Sequence, residues 1–255
     1  MDMDFERNVK LNKLTSFKIG GKARFFKEAK TIEELVQSVN KARAENLPLF
    51  VLGGGTNILG DDSGFDGLVL RPTIGTLRKN ELEVTVGAGV LMADLLQFTI
   101  FHGFSGLEWA GGLPGTLGGA VRGNAGAFGG EIKDLVKEVL SLDTETSELI
   151  RRNNNECEFN YRTSVFKTNG REIIIEIILS LSSGEAESIR NSIENKISYR
   201  REKHPMEHPN AGSVFKNVPI VKYPNLDLER FNHVIKHDPF PVIPTAFLKK
   251  STAKD

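Results

Sequence analysis

Residues Gly111 to Gly130 read GGLPGTLGGAVRGNAGAFGG, and nine of these twenty residues are glycine. A packed helix or strand does not tolerate that density, because each glycine loses more backbone freedom on ordering than any other residue. What glycine supplies is positive φ and close approach of the backbone to a ligand. Successive free N–H groups in such turns form concave nests for anions. Interspersed Leu113, Leu117, Val121 and Phe128 distinguish the stretch from a Gly/Ser linker, since they can pin it to a core. It therefore reads as a backbone cradle for a phosphate-bearing ligand.

Upstream, Thr31-Ile-Glu-Glu34 makes a capping box, and Ile32, Leu35, Val36, Val39 and Ala42 follow at helical spacing. That helix ends near Pro48. Leu49–Leu52 reads as a buried strand running into a second glycine loop, Gly53-Gly-Gly-Thr-Asn57. With Leu14 to Phe26 as two extended pieces around Gly20-Gly21, the first seventy residues form a βαβ-type unit. Glu81–Val86 alternates as a strand, and Val90–His102 is helical with Gly103 as its stop. Between them, Gly87-Ala-Gly89 imitates a dinucleotide fingerprint, but its sixth position is Met92 rather than glycine. No P-loop motif occurs. Val136–Asp143 and Ile173–Leu181 are strands, Thr144–Glu148 a polar turn, and Glu158–Phe166 an alternating stretch that includes Arg162. Ser183 opens a helix with Ile189, Ile193 and Ile197 on one face.

The chain of 255 residues is long enough for one large or two modest domains. Lys+Arg and Asp+Glu balance at 33 each, so nothing global points to nucleic acid or an acidic membrane surface. The single cysteine, Cys157, fits a small buried residue in a reducing compartment. The charged N-terminus lacks an apolar h-region, and the most apolar run is short and interrupted by Glu176. The expectation is a cytoplasmic monomer without membrane insertion. The five histidines form no H-E-x-x-H pattern, and no metal site is expected.

Five motifs now stand in order: Thr15–Gly21, Gly53–Asn57, Leu113–Gly130, Tyr161–Ser164 and Ala211–Asn217 (AGSVFKN). On these the chain closely resembles the UDP-N-acetylenolpyruvoylglucosamine reductase family over about residues 8–248. Its length between Arg162 and Ser213 is similar to the type II branch. The resemblance implies an α+β chain: a two-part FAD-binding fold of the vanillyl-alcohol oxidase (PCMH) type, then an α/β substrate domain. The expected divisions are residues 1–72, 73–200 and 201–255. It implies non-covalent FAD, NADPH as co-substrate and a UDP-sugar whose enolpyruvyl group accepts hydride, giving UDP-N-acetylmuramate for peptidoglycan. Cofactor contacts carried over are Gly53, Gly54, Gly55, Thr56, Asn57, Pro114, Gly115, Thr116, Gly118, Gly119, Asn124, Gly126 and Ala127. Arg162 matches the active-site arginine and Ser213 the proton donor. Tyr161, Lys203, Lys216 and Asn217 are candidate substrate contacts beside them.

The chemistry is consistent with this assignment. Arg122 is the one basic side chain from Gly111 to Gly130, so backbone amides must meet most of the diphosphate charge. Charge developing on the enolate needs a fixed cation, and the carbon needs an acid. The family pattern continues past Leu248 into a segment that ends on a catalytic glutamate, whereas Lys249–Asp255 does not match it. The resemblance thus implies a truncated substrate domain. Two readings follow: an active reductase, or an FAD-binding remnant with impaired turnover.

Overall fold

The computed structural model describes residues 5–204, 207–213 and 215–220, with single positions 229, 235, 242, 243 and 245 beyond them. Most of the expected substrate domain, 201–255, therefore lies outside the described residues.

The first sheet combines β1 (Glu6–Lys10), β2 (Lys22–Ala29), β3 (Leu49–Val51) and β4 (Phe65–Pro72) in the order β1-β2-β4-β3. β1 runs antiparallel to β2, while β2, β4 and β3 are mutually parallel. The crossover between β2 and β3 is α1 (Ile32–Ala44). Thr31 Oγ1 accepts from the Glu34 N–H at 3.2 Å, as a capping residue should. Glu34 reaches back to the Lys30 N–H instead of the Thr31 N–H, so only half of the expected capping box forms. Leu35, Val39 and Ala42 are buried, and full burial of a leucine or valine side chain is worth roughly 1.5–3 kcal/mol.

β3 departs from the expectation of a buried strand. It lies at the sheet edge, and Phe50 and Val51 are 38% and 37% exposed. Only Leu52, just beyond it, is fully buried. The expected extended piece before Gly20 is also absent. Leu11–Lys13 is a 3-10 turn, and the Ser16 N–H donates to the Gly55 carbonyl, folding Thr15–Ile19 over the first glycine loop.

The second sheet is wholly antiparallel. β5 (Leu77–Asn80), β6 (Glu83–Gly87), β7 (Val136–Asp143), β8 (Leu149–Asn153) and β9 (Glu172–Ser180) lie in the order β8-β7-β9-β6-β5. One face, through Leu140, Leu142, Ile173 and Ile175, packs with Leu35, Val39 and Ala42 of α1. The helix thus joins the two sheets in one core, and Arg43 of α1 also donates to the Glu145 carbonyl in the β7–β8 turn. The other face, through Val84, Val86, Val139, Ile174 and Ile177, packs with α2 (Met92–His102), α3 (Leu117–Arg122) and α5 (Ala186–Lys203). Gly103 closes α2 in the left-handed conformation, φ 65°.

Ser183 does not open α5. Ser182–Ser183 pairs with Phe104–Ser105, and the helix starts at Ala186. Nor is Glu158–Phe166 a strand. Asn160 and Thr163 exchange hydrogen bonds across a tight turn with Tyr161 and Arg162 at its tip, and α4 (Val165–Thr168) follows. Cys157 is fully buried, and burial pushes its thiol up to about 12.

Candidate active site: two glycine loops and an anchored arginine

The two glycine loops, some sixty residues apart, meet directly. A Cβ on Gly54 would lie 2.7 Å from Gly115 Cα, and one on Gly53 would lie 2.9 Å from Thr116 Oγ1. Gly115 adopts φ +102°, and its own Cβ would stand 2.8 Å from Thr56 Oγ1. A side chain at Gly54 or Gly115 would force the loops apart. Among the described residues, the N–H groups of Gly53, Gly54, Gly55, Thr56 and Asn57 donate to no protein acceptor. Gly54, Asn57 and Gly119 are exposed, so this donor set opens to solvent. These are the features that a diphosphate-bearing cofactor needs, and FAD fits the cradle on that ground.

The rest of the second loop is fixed from within. Gly118 donates to the Ala88 carbonyl and Leu117 to the Val90 carbonyl, docking α3 on the Gly87-Ala-Gly89 turn. That Gly-x-Gly element therefore serves packing. Thr116 caps α3 through Gly119, and Pro114 is exposed beside it. Leu117 and Val121 are buried and Leu113 packs against them, as expected of pinning residues. Phe128 is not such a pin: it is 44% exposed and stacks edge-on against Tyr199 of α5, with Arg200 over its ring. Gly126 and Ala127 pair with Glu131 and Gly130 in a tight hairpin. A cleft of about 420 Å³ lined by Trp109, Phe128, Gly130, Ser188, Ser192 and Lys196 borders this end of the stretch.

Asn124 is fully buried, and its side chain is used entirely within the protein. Nδ2 donates to Glu131 Oε2 and the Asn160 carbonyl, and Oδ1 accepts from the Lys133 N–H. It fixes the loop to the Tyr161–Arg162 turn. Arg162 then reaches back: Nη2 donates to the Gly126 carbonyl at 2.6 Å and Nη1 to the Asn124 carbonyl at 3.3 Å. Its backbone is in the left-handed region, φ 54°, and the Tyr161 ring lies under its guanidinium. A residue of this size is uncommon there, and such outliers concentrate at functional sites.

Sequence reasoning missed two charged neighbours. Glu131 is buried against Arg162. Lys167 of α4 donates to the Arg162 carbonyl at 3.0 Å. Burial, followed by the charges of Lys216 and Arg122, holds the Lys167 ammonium below its ordinary value. Lys216 and Arg122 thus act on Lys167 as like charges. Because these residues come from three distant segments, no local pattern could have announced their interaction.

Ser213 is exposed. Its segment is tied to the first glycine loop by Ser16: the Ser16 N–H donates to Gly55, and Oγ donates to the Asn210 carbonyl at 2.7 Å. Lys203 is exposed at the end of α5, Asn217 is half-buried, and Thr245 donates to the Lys216 carbonyl. His204 and His208 stand four apart, but α5 ends at Lys203, so the spacing does not fall on one helical face. Among the described residues no cluster of three metal-ligating side chains occurs, and no helix is long and apolar enough to cross a membrane.

Comparison with known proteins agrees with this geometry. The FAD binding domain family matches residues 23–151, half of the chain. The UDP-N-acetylenolpyruvoylglucosamine reductase of Caldanaerobacter subterraneus subsp. tengcongensis is 37% identical over 215 residues, covering 83% of this chain and 70% of that protein. The crystal structure of the same reductase from Thermus caldophilus superposes with TM-score 0.69 at 26% identity, covering 94% of this chain and 88% of that one. The 6-hydroxy-D-nicotine oxidase of Arthrobacter nicotinovorans shares the fold alone, with TM-score 0.51 at 19% identity over 63% of this chain and 37% of that one. The expected two-part FAD-binding α+β fold is therefore the fold observed. The chain belongs to the UDP-N-acetylenolpyruvoylglucosamine reductase family.

Proposed function

We propose that the chain is a cytoplasmic NADPH-dependent flavoenzyme that reduces UDP-N-acetylglucosamine enolpyruvate to UDP-N-acetylmuramate for peptidoglycan synthesis. The observation that carries the reading is the anchored Arg162 guanidinium on the carbonyls of a donor-rich glycine cradle. FAD, when bound by Gly53–Asn57 and Pro114–Gly119, supplies the hydride chemistry. Addition of hydride to the terminal carbon of an enol ether leaves negative charge on the neighbouring carbon, spread into its carboxylate. Arg162 is fixed before that charge develops, so little reorganisation is needed at the moment of reaction. Ser213 Oγ then delivers a proton to that carbon. A hydroxyl is a weak acid, and cations nearby make it a better one. Lys216, with Lys167 and Arg122, suits the diphosphate of a sugar nucleotide. Tyr161, Lys203 and Asn217 are assigned to the same substrate.

The test is direct. The purified protein is expected to be yellow and to oxidise NADPH only when the enolpyruvyl sugar nucleotide is present, with Arg162→Met lowering kcat. A flavin-free protein would refute the reading. Retained flavin without substrate-dependent NADPH oxidation would instead support the second reading, a chain that holds FAD without turnover.

A further inference from the structure

We propose that Glu131 is the positioning residue for Arg162, holding its guanidinium in the glycine loop. The role of Arg162 rests on the function proposed above; its placement by Glu131 does not. The Glu131 side chain is 5% exposed and lies 3.7 Å from Arg162, Oε1 to Nη1. Its two oxygens have different tasks. Oε2 accepts from Asn124 Nδ2 at 3.2 Å and pairs with Lys133 Nζ at 2.7 Å. Oε1 is buried and has no hydrogen-bond partner, so the Arg162 charge is its compensation. A buried acceptor left in this state is costly, and such groups call for an explanation.

The explanation lies in what the carboxylate arranges. A long arginine side chain gives up rotamer freedom when it is fixed. Glu131 offsets that loss in two ways. It attracts the guanidinium through Oε1, and it orients Asn124, whose carbonyl receives Nη1. It also flanks the Gly126 hairpin whose carbonyl receives Nη2. One residue thus borders the cation and both of its receivers, its carboxylate meeting the guanidinium and Asn124 and its backbone pairing with Gly126. Arg162 remains 35% exposed, which leaves a face of the guanidinium for an incoming anion.

The test is site-resolved labelling of arginine with phenylglyoxal, read by peptide mass spectrometry on the full chain. Glu131→Gln is expected to speed labelling of Arg162 about fivefold by releasing its restraint. Exposed Arg24 and ion-paired Arg152 report on the rest of the fold, and their rates are expected to stay unchanged. An unchanged Arg162 rate overturns the proposal. If Arg152 also speeds up, E131Q has unfolded, and Glu131→Asp, which keeps the charge but shortens the reach, is judged by the same outcomes. A second arm titrates the flavin-loaded protein with the enolpyruvyl sugar nucleotide and follows the flavin spectrum. E131Q is expected to weaken binding about tenfold in the unmutated background and less than about twofold alongside Arg162→Met. Equal weakening in both backgrounds overturns positioning in favour of general loop damage. If the unmutated chain holds no flavin, the proposed function falls, and the labelling arm still decides the role of Glu131.

Discussion

Gly119→Ala separates the cradle from every internal reason for glycine. Gly119 lies inside α3, has no positive φ, and its nearest neighbour to an added Cβ is Thr116 Oγ1 at 3.6 Å, an ordinary contact. The protein by itself has room for alanine there. Within a helix alanine is favoured over glycine by about 0.5–1 kcal/mol. For a chain of this size that predicts a Tm gain of roughly 1–4 °C in the flavin-free protein. The effect on FAD should have the opposite sign. Gly119 is exposed on the cradle side of the loop junction, and a methyl group there displaces a phosphate oxygen. Losing one hydrogen bond from an amide to a charged oxygen costs about 1.5–3 kcal/mol, or roughly 10–150-fold in Kd. Differential scanning fluorimetry of the stripped protein and fluorescence titration with FAD measure the two effects separately. A higher Tm with unchanged FAD affinity would refute the placement of the diphosphate. A lower Tm would show that Gly119 is glycine for a packing reason absent from the structure.

Glu172 is a second target. Burial pushes its carboxyl up, but bonds from Arg152, Ser141 and Asn169 more than offset this and hold it below the ordinary range. Its stabilisation is therefore present above the unfolded carboxylate value and lost as pH falls through the folded one. Glu172→Gln should lower stability by about 3 kcal/mol at neutral pH and flatten the acid limb of an unfolding curve, and an unchanged acid limb would exclude the assignment. Cys157 should resist thiol reagents at pH 8 until the chain unfolds; rapid native labelling would contradict its burial. Ser16→Ala removes the hydroxyl bond to Asn210 and should cut turnover roughly fivefold while FAD affinity stays within about twofold. Parallel loss of both would make Ser16 a part of the cradle instead.

What was legible in the sequence is what local chemistry determines. Thr31 and the spacing from Ile32 to Ala42 announce α1, and Gly103 announces the end of α2. The limits of Val136–Asp143 follow from its apolar run and the polar turn after it. Errors arose where a longer-range partner decided the outcome. Phe50 and Val51 look like core but occupy a sheet edge, and Phe128 turns out to Tyr199. Glu158–Phe166 alternates like a strand, yet the bonds from Arg162 to carbonyls 36 and 38 residues earlier hold it as a turn. Glu131 and Lys167 could not be singled out, because their meaning comes from Arg162.

The glycines show the limit most clearly, because one letter stands for unrelated causes. Gly54 is glycine because the backbone of the other loop lies 2.7 Å from where its Cβ would be. Gly115 needs φ +102°, and a Cβ on Gly130 would lie 2.3 Å from the Trp109 ring. Each of these glycines has a cause internal to the fold, separate from any contact its backbone makes with a ligand. Gly119 and Gly123 have no such internal cause, and of the two it is Gly119, exposed where the loops meet, that a bound molecule is expected to explain. The density of glycine from 111 to 130 therefore overstates the contact surface for a cofactor. Most of these residues make room for the protein itself: Gly111 and Gly112 for α5, Gly115 for Thr56, Gly118 for Ala88, Gly126 for Glu131 and Gly130 for Trp109.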